Sequence, residues 1–98
     1  YIPSTINGEY ISDARHAEWC EKYAKIMLEN FLGLTVSAAF GYWKSSDTGK
    51  ITAEKVYRIK ASSNFHAEGY MGLLAERVKS EMEQEAVSYE INGVLHII

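Results

Sequence analysis

The sequence predicts an α+β sandwich in which two helices cover one face of an antiparallel sheet. Three observations predict it. Apolar residues recur every three or four positions in two stretches, one from Ser12 to Phe31 and one after Asn64. Between them lie two stretches of period two around a polar turn, and strand-like segments stand at both ends of the chain. In order this reads β-α-β-β-α-β with an extra C-terminal strand, the pattern of a ferredoxin-like sandwich. With 98 residues the chain has material for one core, so residues 1–98 are expected to form a single domain.

Tyr1 to Ile6 reads as a short first strand, confined by Pro3 to an edge or a strand start, and Asn7-Gly8 as a turn. Ser12 offers an N-cap, with Asp13 in the first turn where the helix dipole favours an anion. The helix that follows carries Trp19, Cys20, Tyr23, Met27 and Phe31 on one stripe and is stopped by Asn30 and Gly33. Leu34, Val36, Ala38, Phe40 and Tyr42 then alternate with Thr35, Ser37, Ala39, Gly41 and Trp43, a strand whose second face is small and uncharged. "KSSDTGK" is a hairpin loop with a glycine near its end. In the return strand Ile51, Ala53, Tyr57 and Ile59 share one face, and Glu54, Val56, Arg58 and Lys60 the other. Asn64 can cap a second helix with Tyr70, Met71, Leu74, Val78 and Met82 as its buried stripe, weakened locally by Gly69 and Gly72. "AVSYEI", Asn92-Gly93 and "VLHII" make a closing hairpin with a type I′ turn.

Composition narrows the function classes. A hydrophobic share of 47% argues against disorder, and no apolar run is long enough to span a bilayer. No signal-peptide pattern opens these residues, and a single cysteine, Cys20, excludes an internal disulfide framework and fits a reducing cytoplasm. A net charge of −3 without a clustered basic face argues against nucleic acid. His16, His66 and His96 form no metal-binding pair, His16 reads as helix surface, and no glycine-rich phosphate loop is present, so neither a metal nor a cofactor is expected. Cys20 lies within the helix stripe and reads as core rather than nucleophile. An uncovered sheet face this bland predicts self-association, as a ring or dimer.

Glu54 is the conspicuous residue, because a strand interior disfavours glutamate. It reads either as a cross-strand ion pair with Arg58 or a lysine, or as a carboxylate in a pocket roofed by Tyr42 and Trp43. Glu90 on the closing hairpin could reach the same region. Aromatic faces with carboxylates suit a cationic ligand carrying an aromatic group. In "EMEQEAV", Glu81, Glu83 and Glu85 gather at a helix C-terminus, where the dipole disfavours them.

At these residues the chain resembles the small phage-encoded S-adenosylmethionine lyases, formerly called SAM hydrolases. The likeness spans most of the chain. It rests on "GLTVSAAFGYW" for the family's Gly-Leu strand start and Gly-x-Tyr strand end, on "AEKVYRIKASS" for its Glu-Lys and basic strand, and on "EMEQEAVSYE" for its Glu-Trp-Glu-Gln-Asp segment. The resemblance implies a ferredoxin-like trimer that binds S-adenosylmethionine between subunits, with Glu54 as the catalytically important glutamate. The family's aromatic falls on Trp43 or, with a one-residue shift, on Tyr42, and Glu90 is a further substrate-binding candidate. The implied reaction releases methylthioadenosine and homoserine lactone by attack of the substrate's own carboxylate, a phage countermeasure that lowers the host's S-adenosylmethionine and blunts restriction. A hydrolase giving homoserine is the runner-up. The "GLTV…GYW…E" pattern is also similar to a small uncharacterised bacterial domain family, for which a non-catalytic binding or oligomerisation module is the expectation.

Overall fold

A computed structural model describes residues 1–62 and 67–98. The predicted cap Asn64, and His66, lie outside the described residues.

Among the described residues the chain is α+β, with two helices and three two-stranded antiparallel sheets in place of the one continuous sheet expected. Its opening departs from the expected single strand. Asn7 and Gly8 both adopt positive φ, 50° and 78°, which reverses the chain and pairs β1 (Thr5–Ile6) with β2 (Glu9–Tyr10) as a miniature hairpin. Before the turn, Ile2 bridges Tyr57 in antiparallel fashion: the Ile2 N–H donates to the Tyr57 carbonyl at 2.7 Å, and the Tyr57 N–H returns the bond at 3.1 Å.

Helix α1 (Asp13–Met27) starts where the cap was expected, with the Ser12 hydroxyl oxygen accepting the Arg15 N–H at 3.2 Å. It ends at Met27 rather than Asn30, yet the buried stripe runs on through Phe31. His16 corrects the surface reading made above. It is 1% exposed and belongs to the stripe His16, Cys20, Tyr23, Met27, one turn before the cysteine. Its ring lies 4.5 Å from that of Tyr57, and its Nε2 bonds the Ile2 carbonyl oxygen at 3.0 Å. Cys20 is buried as expected, and that burial pushes its thiol above its ordinary pKa, which makes it a poor nucleophile.

Strands β3 (Leu34–Lys44) and β4 (Ile51–Ala61) pair without a bulge from Leu34↔Ala61 to Lys44↔Ile51. The loop closes through Gly49 at φ 71°, the left-handed glycine the sequence placed there. Helix α2 (Glu68–Glu81) contributes Leu74, Ala75 and Val78 to the core, joined by Met82 just past its end. Strands β5 (Ser88–Ile91) and β6 (Val94–Ile97) turn at Asn92 and Gly93, both at positive φ as a type I′ turn requires.

One buried cluster joins Ile2, both helices and Val87, with Tyr57, Ile59 and Leu34 of the long hairpin packed against it. On the face turned to that cluster, only the base of the hairpin is covered by the described residues. Toward its tip Phe40, Tyr42 and Ile51 are mostly exposed on the same face. Among the described residues no helix is long and apolar enough to cross a membrane.

The "EMEQEAV" segment has a packing role that its charges do not reveal. Glu81 accepts the Tyr23 hydroxyl at 2.8 Å and lies 3.2 Å from the Lys22 ammonium and 3.3 Å from the Arg77 guanidinium. Burial alone would raise its carboxyl, but these partners outweigh burial and hold it below the ordinary value. Tyr23 is held well above the usual phenol range, by burial first and by Glu81 second.

Candidate functional site

The strand ladder decides which predicted residues meet. Adjacent strand residues project to opposite faces, and directly paired residues to the same face. Gly41 pairs with Glu54, so Glu54 shares its face with Gly41 and, two residues on, with Trp43. The indole lies over the glycine: its Cζ3 is 3.8 Å from where a Gly41 Cβ would stand. Tyr42 pairs with Ala53 and points the other way, 72% exposed. Tyr42 and Trp43 therefore do not jointly roof Glu54 within one chain.

Glu54 is 8% exposed although it sits on a strand. Its Oε1 accepts two hydrogen bonds from one residue, the Ser4 N–H at 2.7 Å and the Ser4 hydroxyl at 3.0 Å. After Ile2 the N-terminal segment leaves the β4 ladder, and the Ser4 N–H, which continued pairing would have satisfied, goes to the glutamate instead. Among the described residues the cross-strand ion pair with Arg58 or a lysine, one of the two readings of Glu54, does not form. Among the described residues the second oxygen, Oε2, accepts no hydrogen bond, and it is not among the fully buried side-chain polar atoms left without a partner. Glu54 is thus a largely buried carboxylate fixed through one oxygen and, among the described residues, unbonded at the other.

Glu90 stands apart. Its Oε1 accepts the Tyr1 hydroxyl at 2.6 Å, and this bond is the main reason the phenol is raised above its ordinary pKa. It borders a cavity of about 450 Å³ between the end of β4 and the β5–β6 turn, where Arg58, Lys60, Met71 and Tyr89 also contribute to the wall. Glu54, Trp43 and Tyr42 do not line that cavity.

Chemically, the Glu54 region offers a fixed anionic acceptor beside a half-exposed indole, Trp43 at 48%. That pair can draw a cation to the ring face and take a hydrogen bond from an ammonium or hydroxyl group. Among the described residues no group of three or more His, Cys, Asp or Glu side chains could hold a metal ion. Sequence reasoning missed Ser4, which supplies both donors to the site. Nothing in "IPST" distinguishes that serine, because its role arises only where the segment peels away from β4.

No family model, curated protein or solved structure matches this chain.

Proposed function

We propose that this protein cleaves S-adenosylmethionine to methylthioadenosine and homoserine lactone. The observation that supports this most is the Glu54 carboxylate, anchored on Ser4 through Oε1, with Oε2 unbonded among the described residues, on the same face as the Trp43 ring. The substrate is a sulfonium with an ammonium group and an adenine. Trp43 suits the sulfonium or the base, and the unbonded Glu54 oxygen suits the ammonium group. In the reaction a substrate carboxylate oxygen attacks Cγ, the Cγ–S bond breaks with its electrons passing to sulfur, and a neutral thioether leaves. Opposite charges are annihilated, so a site drier than water favours the step, and Glu54 would hold the folded near-attack conformer. Glu54 acting instead as a general base on water would give homoserine.

The ferredoxin-like arrangement fits the hydrogen bonds around the N-terminal segment. Its Ile2 pairs with β4, and its Tyr1 amine approaches the Ser88 carbonyl of β5 at 3.5 Å, contacts that suit a segment running between those strands. With Tyr42 on the face opposite Glu54, a site using both draws them from different subunits. That is the reason to favour a trimer with sites between subunits, acting in the cytoplasm of a phage-infected host. Incubation of the assembled protein with S-adenosylmethionine should release methylthioadenosine, seen by chromatography; its absence overturns the reading.

A second reading has its own support. The two Ser4 bonds give Glu54 a structural task, which fits a non-catalytic binding or oligomerisation module. There, Glu54→Gln would alter stability or assembly with no turnover to lose.

A further inference from the structure

The stretch from Ile2 to Thr5 is held by three elements at three points. His16 of α1 takes the Ile2 carbonyl, Glu54 of β4 takes both Ser4 donors, and Gln84, just beyond α2, takes Thr5. The Gln84 contacts are the most complete. Its Nε2 donates to the Thr5 carbonyl at 2.6 Å and to the Met82 carbonyl at 2.9 Å, and its Oε1 accepts the Thr5 hydroxyl at 3.4 Å. Nε2 also lies 3.3 Å from that hydroxyl oxygen. Two carbonyl oxygens on one side fix which way the amide faces, because only its nitrogen can donate. A nearby backbone bond, from the Asn7 N–H to the Met82 carbonyl at 3.4 Å, joins the same two segments.

We propose that Gln84 is a positioning residue for Glu54. It ties Thr5 to the fully buried Met82 turn, and so sets where the adjacent Ser4 presents the two donors that aim the glutamate. The inference rests on Glu54 being the functional carboxylate. The Thr5 carbonyl and the Ser4 N–H belong to different peptide units with one planar unit between them, so a shift of the Thr5 carbonyl is passed to Ser4 through that short link. A displacement of about 1 Å at a reacting group costs on the order of a hundredfold in rate. The glutamine of "EMEQEAV" thereby acquires a task that its neighbouring charges do not share.

The test uses the full chain with Gln84→Glu, which keeps the shape but faces the two carbonyls with no donor. Melting temperature reports that the protein is folded, and three quantities are then read: exchange of the Ser4 amide by NMR, and kcat and KM for S-adenosylmethionine. Ser4 exchange should quicken by roughly tenfold or more, and kcat should fall by roughly tenfold or more with KM within about threefold. Thr5→Val, which removes the hydroxyl but leaves the carbonyl bond, should change each by no more than about twofold. Should Gln84→Glu not fold, Gln84→Met carries the same expectation without the charge. Unchanged Ser4 exchange overturns the proposal, and so does faster exchange with unchanged kcat. If the unaltered protein does not cleave S-adenosylmethionine, the proposed function fails and the positioning role fails with it. Ser4 exchange then still tells whether Gln84 fastens the segment.

Discussion

Replacing Glu54 separates its structural from its chemical role. Glutamine keeps a carbonyl oxygen for both Ser4 donors, so Glu54→Gln exchanges two charge-assisted hydrogen bonds, at 2.7 and 3.0 Å, for neutral ones. That exchange costs about 1 kcal/mol per bond. Part is returned because a charge no longer has to be held out of water. A net loss of about 1 kcal/mol lowers Tm by roughly 4–8 °C in a domain of this size. Alanine removes the acceptor altogether. The orphaned Ser4 N–H costs about 1–3 kcal/mol, and the void beside it brings the total to about 3 kcal/mol, a fall in Tm of roughly 12 °C or more. The assay pairs thermal unfolding by circular dichroism with methylthioadenosine release. Glu54→Gln should stay folded at 25 °C while kcat/KM drops about a hundredfold, the equivalent of about 3 kcal/mol of lost transition-state interaction. Full turnover in a folded Glu54→Gln protein refutes the chemical role. An unchanged Tm in Glu54→Ala refutes the anchoring role.

Trp43→Ala should leave Tm within a few degrees, since the ring is half exposed, and raise KM roughly tenfold through lost stacking on the adenine or sulfonium; an unchanged KM removes Trp43 from the site. If Tyr42 reaches Glu54 from a neighbouring subunit, Tyr42→Ala and Glu54→Gln proteins, each impaired, should regain activity when unfolded and refolded together, up to roughly a quarter of the sites in a random mixture. Additive, unrestored activities would mean that the two residues do not share a site. Glu81 is depressed in the fold, so its stabilisation is present above the ordinary carboxyl range and lost as pH falls through the folded-state value; Glu81→Gln should flatten the acid limb of Tm against pH. Tyr23 is raised, so its contribution is intact below the ordinary phenol value near 10.0 and lost as pH rises beyond it; Tyr23→Phe should remove that alkaline limb, and a limb that persists assigns it elsewhere.

What could be read from the sequence was whatever local chemistry determines. Ser12 caps α1, Gly49 and Gly93 take the left-handed conformations their turns require, and the alternation from Leu34 to Trp43 is the strand it looked to be. The same alternation, followed strictly, already places Tyr42 and Trp43 on opposite faces. Grouping them over Glu54 set adjacency in sequence above the period of two. His16 was misread because a histidine near a helix start resembles surface, although it stands one turn before Cys20 on the buried stripe. What Ser4 and Gln84 contact was not legible. Their partners lie 50 and 79 residues away along the chain, and neither residue type is unusual where it stands. The Glu81 cluster shows the converse: an anion at an unfavourable helix end is settled by Tyr23 and Lys22 of the other helix, which a local reading does not weigh.

If S-adenosylmethionine is cleaved by its own carboxylate in a site organised by Glu54, the origin of the product oxygens reveals it. The most direct measurement is mass spectrometry of the products formed in ¹⁸O-labelled water. Intramolecular attack gives methylthioadenosine with homoserine lactone free of solvent oxygen, and any later ring opening places the label in the carboxyl group. Label in the γ-hydroxyl of homoserine, or no methylthioadenosine, would contradict it.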